Sequence, residues 1–118
     1  MNIEDYRAYC LSKKFVTEGF PFDNVTLVFK VAGKMFAIAS LDAIPPKVSL
    51  KCDPERAIEL REDYEEVTPG YHLNKKLWNT IVIDGIPTDL LIELTDLSYT
   101  LVIQSMTKKK QRELGFLE

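Results

Sequence analysis

The sequence predicts an α+β fold, a largely antiparallel sheet of roughly five strands with helices packed over one face. Two periodicities and one absence predict it. Residues 25–31 alternate with period two, and residues 34–40 resume the strand pattern beyond an Ala-Gly pair, which is the layout of a hairpin. Residues 88–104 instead repeat leucine at helical spacing. No linker or internal repeat interrupts the 118 residues, so the chain reads as a single domain over 1–118. At that length one hydrophobic core suffices, because folding buries about two-thirds of the surface that the unfolded chain exposes.

The elements follow in order. Asn2 and Asp5 resemble a helix-opening box, and Ile3, Tyr6 and Cys10 recur at three-to-four spacing, which predicts a short amphipathic helix over residues 3–12 closed by Lys13 and Lys14. In the first strand Val25, Leu27, Phe29 and Val31 point one way and Thr26, Val28 and Lys30 the other. Gly33 is free to take the positive φ of a tight connection. The adjacent prolines in "LDAIPPK" forbid ladder hydrogen bonds and mark a stiff loop, a candidate wing tip, before a strand over 47–52. Asp53-Pro54-Glu55 opens a second helix over 54–64: Asp accepts from exposed amides, Pro suits the first helical position, and Glu favours the positive end of the dipole. Its Ala57, Leu60, Tyr64 row faces inward. Pro69-Gly70 breaks the chain, and 77–83 is a further strand ended by Asp84-Gly85. Thr88 and Asp89 open the main core helix, whose inner stripe is Leu90, Leu91, Leu94, Leu97, Leu101 and Val102. A last short helix over 107–114 carries Lys108, Lys109, Lys110 and Arg112, read as a solvated helix end whose cations complement the dipole.

Composition excludes several classes. With 46% hydrophobic and 28% charged residues the chain is neither disordered nor a low-complexity repeat. No apolar run approaches the roughly 20 residues that cross a bilayer, and the start "MNIEDY" lacks a signal-peptide layout, so a cytoplasmic location without membrane contact is expected. Cys10 and Cys52 have no metal-ligand spacing and read as small core residues. There is no Gly-x-Gly-x-x-Gly, Walker A loop, His-Glu-x-x-His or zinc-type Cys pairing, so no cofactor and no metal site is expected. His72, the only histidine, titrates in the range of a general base, but its sequence neighbours form no catalytic set. A histidine bonded within its own turn is the favoured reading, and a non-enzymatic protein is expected.

Binding chemistry is concentrated in "VTPGYHLNKKLWNTIVIDG", residues 67–85. Tyr71, His72 and Trp78 offer flat faces for stacking, Asn74 and Asn79 offer paired donors and acceptors, and Lys75 with Lys76 supplies point charges for phosphate. Trp78 reads equally well as a core residue, because it opens an alternating strand of which one face must be buried. The net charge is −3, and seven of the eighteen acids crowd residues 53–66, whereas 67–83 holds two lysines and no acid. Two phosphate contacts give a salt slope of only about −1.8, so nucleic-acid binding needs further cations. Lys13, Lys14, Lys30, Lys34, Lys51 and the knot Lys108, Lys109 and Lys110 are the candidates, provided the fold gathers them.

The segments "LKCDPERAIELRE", "VTPGYHLNKKLWNTIVIDG" and "LIELTDLSYTLV" resemble the MmcQ/YjbR family of small bacterial proteins. The family pattern falls on Pro69, Gly70, Tyr71, His72, Asn74, Lys75, Trp78, Asn79 and Thr80, and on Lys51, Cys52, Asp53, Pro54, Ser98 and Tyr99. It departs at Leu73, where Met is common, and at Leu77, where His is frequent. The resemblance implies a CyaY-like, that is frataxin-like, fold and binding of double-stranded DNA through a "double wing" of hairpins. The hairpin loops near Gly33, Pro45-Pro46 and 71–76 would then approach the duplex together. The alternative expectation is a protein or peptide interaction module with a protein partner. A frataxin-like fold does not by itself carry iron chemistry, and Glu55, Glu59, Glu62 and Asp63 read as a solvated helix face.

Overall fold

The computed structural model describes residues 1–70 and 73–118. Its first helix, α1 (Ile3–Leu11), is capped by Asn2, whose side-chain oxygen accepts the Asp5 amide at 2.7 Å. Six strands follow: β1 (Val16–Gly19), β2 (Thr26–Val31), β3 (Lys34–Ser40), β4 (Lys47–Lys51), β5 (Val67–Pro69) and β6 (Trp78–Val82). Helix α2 (Pro54–Asp63) lies between β4 and β5, and α3 (Thr88–Gln104) and α4 (Lys108–Glu113) end the chain. The strands form one antiparallel sheet in the order β1-β2-β3-β4-β6-β5.

The α+β class expected from the sequence holds, with six strands in place of roughly five. β1 and β5 are the additions, and both are short edge strands. β5 ends in Pro69, tolerated there because an edge strand leaves one side of its ladder unpaired. At the β2–β3 turn Ala32 shares the left-handed region with Gly33, φ 48° and 87°, as a two-residue primed turn requires. Asp53 precedes α2 as expected but makes no side-chain capping bond, so the start of that helix rests on Pro54 and Glu55.

One core unites the helices and one face of the sheet. Leu27, Phe29, Val31, Val48, Leu50, Ile81 and Ile83 meet Tyr6 and Cys10 of α1, Ala57 and Leu60 of α2, and Leu91, Leu94 and Val102 of α3. The inner stripe of α3 is rotated from the expected one: Thr95, Ser98, Tyr99 and Ile103 are buried, while Leu90, Leu97 and Leu101 are only half-buried. Thr95 enters because its hydroxyl bonds Tyr6 Oη at 2.8 Å and the Leu91 carbonyl at 2.8 Å, so its polarity is satisfied inside. Both cysteines are free thiols in this core, and burial pushes the Cys10 thiol up to about 12. Among the described residues no helix is long and apolar enough to cross a membrane.

Candidate nucleic-acid interface

The helices cover one face of the sheet and leave the other bare, and register decides which side chains reach each. The row Val28, Ile38, Ser49, Thr80, Thr68 crosses five neighbouring strands on the face without helices, with Val28 and Ser49 themselves buried within it. Period two then adds Thr26 and Lys30, Met35 and Ser40, Lys47 and Lys51, and Trp78 and Val82 to that face. None of these strand residues is acidic. Phe22 of the β1–β2 loop and Leu73 of the β5–β6 loop rise at the borders, enclosing a groove of about 750 Å3.

Its floor is set by small hydroxyls. Ser49 Oγ and Thr80 Oγ1 lie 2.8 Å apart across β4 and β6. Asp23 is a carboxylate at the groove margin, and its position in the β1–β2 loop is fixed by donors: the Val25 and Thr26 amides at 2.9 and 2.7 Å and the Thr26 hydroxyl at 3.0 Å. Those backbone bonds hold its carboxyl below the usual range.

A bulge fixes the register around Lys51. Phe29 faces Ala37 and Lys30 faces Met35, so Phe36 is the extra residue. Phe36 turns to the helix side, where its ring meets Tyr99 edge-on at 5.4 Å. The ladder between β3 and β4 opens at that point, and the Ser98 hydroxyl fills it, accepting from the Lys51 amide at 2.9 Å and donating to the Phe36 carbonyl at 2.6 Å. Lys51 is thereby held opposite Trp78, with both side chains on the bare face.

The segment that joins β5 to β6 leaves the sheet at this same end. Asn74 organises it: its side-chain oxygen accepts the Lys76 amide at 3.0 Å, and its carbonyl accepts the amides of Leu77 and Trp78. Arg61 of α2 anchors it further by donating to the Lys75 carbonyl at 3.1 Å. Gly70 permits the close return of the chain, because a Cβ there would stand 2.8 Å from Trp78 Cβ and 3.0 Å from its carbonyl oxygen.

The residues singled out from sequence therefore divide. Lys75 and Lys76 are exposed and Trp78 is half-buried, at the end of the sheet that also carries Lys30, Lys51 and the β2–β3 tip with Lys34. Tyr71 and His72 lie outside the described residues. Asn79 is not a surface residue: it is 1% exposed on the core face, donating to the Ala57 carbonyl at 3.2 Å. It shares that face with Ile81 and Ile83, an alternation already present in the sequence. Lys108, Lys109 and Lys110 follow α3 on the helix side, where Phe116 packs edge-on against Tyr99 at 6.2 Å, so they are not gathered with the bare-face lysines. Lys110 and Arg112 stand in the last turn of α4, where they complement the dipole as expected, whereas Lys108 and Lys109 open the helix at its positive end. Lys13 is taken by Asp96 at 2.6 Å beneath the rings of Tyr9 and Tyr99. The Pro45-Pro46 loop stands at the opposite end of the sheet from Gly33 and the β5–β6 segment, since β3 and β4 meet there through Ser40 and Lys47. These three loops do not form one row. Lys47, not selected from sequence, joins Lys30 and Lys51 on the bare face; the alternation Lys47, Ser49, Lys51 was its signal.

Among the described residues no group of three or more His, Cys, Asp or Glu is placed to hold a metal ion. Fold and site together define a small α+β domain with one covered and one uncovered sheet face, the uncovered one cationic. A family model described as YjbR matches residues 11–101. The chain is 32% identical to YjbR of Escherichia coli strain K12 over 115 residues, covering 97% of this chain and 98% of the relative. It is also 32% identical to YbdF of E. coli O157:H7 over 112 residues, covering 94% and 92%. The crystal structure of Deinococcus radiodurans protein DR2400, a DUF419 domain, superposes with a TM-score of 0.91 at 44% identity, covering 99% of this chain and 89% of that one. A Pseudomonas syringae protein shares the fold, with a TM-score of 0.76 at 22% identity over 86% of this chain and 98% of its own. The chain belongs to the YjbR family.

Proposed function

We propose that the protein is a non-enzymatic, cytoplasmic DNA-binding domain that meets nucleic acid with the bare sheet face and the adjoining β5–β6 rim. One observation carries this reading. In a chain of net charge −3, the strand residues of the bare face include Lys30, Lys47 and Lys51 and no carboxylate, while the acids sit on helices, loops and the helix-side face. Such segregation creates a local positive field that the net charge conceals. Lys75 and Lys76 anchor phosphates at the rim, and Lys51 and Trp78, register partners across β4 and β6, offer a cation and a ring at neighbouring positions. The wing geometry narrows to the β2–β3 tip and the β5–β6 segment, because the Pro45-Pro46 loop lies at the other end.

The test is binding to a mixed-sequence DNA duplex at low and moderate salt, for the parent and for Lys75→Ala/Lys76→Ala. Binding should weaken with salt and in the variant, with the logarithmic salt slope reduced by about 1.8. Unchanged binding in both comparisons would remove the rim from the site. A second reading, a protein-interaction module, draws on exposed apolar residues at the opposite end, Phe20, Phe22, Leu41 and Ile44, the last 98% exposed. It is favoured if no DNA binds at low salt and Ile44→Asp abolishes association with a protein partner.

A further inference from the structure

We infer that the bare face takes single-stranded nucleic acid in preference to duplex, an inference that rests on the DNA-binding reading above. The groove's volume of about 750 Å3 has the scale of sites that enclose small molecules, roughly 300–1,000 Å3. That space suits a few nucleotide bases, not the body of a double helix. Its floor mixes Met35 and Ile38 with the hydroxyls of Ser49 and Thr80. Duplex DNA presents phosphates and groove edges, and its base faces are stacked away from any protein surface. Charged phosphates pressed onto Ile38 and Met35 would lose water without gaining partners. Unstacked bases supply the flat apolar faces that this floor accepts, and their sugars and phosphates supply groups for the serine and threonine hydroxyls.

The borders agree with the floor. Phe22, which lines one end of the groove, is 65% exposed and so keeps a ring face for stacking, and half-buried Trp78 stands on the same sheet face toward the other end. Lys47 and Lys51 are four residues apart on β4, about 14 Å along the strand, and Lys30 lies two strands over, about 10 Å from the Lys51 line. Cations spaced around an apolar and hydroxyl floor, with an aromatic ring toward each end, are the ingredients by which sheet-surface proteins hold single strands. Asp23, the carboxylate at the groove margin, stays ionised, with both its oxygens engaged by the Val25 and Thr26 amides and the Thr26 hydroxyl, so a phosphate would pass on the lysine side of the groove and not beside it.

Fluorescence anisotropy with a labelled mixed-sequence 12-mer, single-stranded or annealed to its complement, tests the inference at one fixed salt concentration. The single strand should bind at least about tenfold more tightly, and Phe22→Ala should weaken it by about five- to a hundredfold, the range set by loss of one stacked base. Because Phe22 is largely exposed, the variant folds, which its circular dichroism verifies. Equal or tighter duplex binding would overturn the single-strand inference and leave the DNA-binding reading standing. Single-strand affinity that is unchanged in both Phe22→Ala and Lys47→Ala would overturn the placement in this groove. No binding of either form would overturn both readings.

Discussion

Asp23 illustrates how one side chain holds a border of the groove. Its carboxylate accepts the Val25 and Thr26 amides, which lowers its proton affinity in the folded chain, whereas in the unfolded chain it titrates near the usual value of about 3.9. A carboxyl whose folded pKa is depressed stabilises the fold fully above the unfolded value, and the contribution is lost as pH falls through the folded value. Asp23→Ala should therefore lower the urea midpoint at pH 7, and the gap between variant and parent should narrow as pH drops below about 4. A gap that stays constant down to pH 2.5 would mean that the charge of Asp23 does not support the β1–β2 loop. Legibility at this scale was uneven, for a physical reason. Asn2 was readable because a cap is a local bond, whereas Ser98 bridges Phe36 and Lys51 across 62 and 47 residues, and no local pattern announces such a partner. Asn79 is intermediate: its polarity suggested the surface, while its phase with Ile81 and Ile83 set it inside, and phase decided because the core covers that whole face.

Elements were legible where periodicity had room to repeat. β2, β3, β4 and β6, each five to seven residues long, were all expected, and so were the four helices. β1 and β5, of four and three residues, are too short to display two full alternations, and pairing at the sheet edges defines them instead. Helix α4 shows what an element boundary changes. Thr107 caps it by accepting the Lys110 amide at 3.1 Å; Lys110 and Arg112 fall in the last turn, and Lys108 and Lys109 open the first, which holds no acid. Cations at that end oppose the helix dipole. Lys108→Glu/Lys109→Glu should stabilise the protein by about 0.5–1.5 kcal/mol at low ionic strength, and added salt should shrink the gain. Urea denaturation at two salt concentrations measures both effects. A loss of stability in the variant would show that these lysines make contacts that outweigh the dipole.

At the scale of the whole molecule, the arrangement separates charge by face. The sheet divides a helix side that carries Glu18, Glu55, Glu59, Glu93 and Asp96 from a bare side that carries Lys30, Lys47 and Lys51. On the helix side Arg7, Lys13 and Arg56 are already paired, with Glu18, Asp96 and Glu93 respectively, so these cations are not free to meet a polyanion. Attraction to a polyanion is governed within a Debye length of about 10 Å at 0.1 M salt, so the face presented matters more than the total. Two substitutions separate these quantities. Lys51→Ala and Lys108→Ala change the net charge equally, but Lys51 stands on the bare face opposite Trp78 and Lys108 begins α4 behind the sheet. If the bare face carries the binding, Lys51→Ala should reduce the logarithmic salt slope for a single strand by about 0.7, the share of one released counterion, and Lys108→Ala should leave the slope unchanged. Equal changes in the two variants would mean that total charge governs association, and the bare face would lose its claim to be the interface.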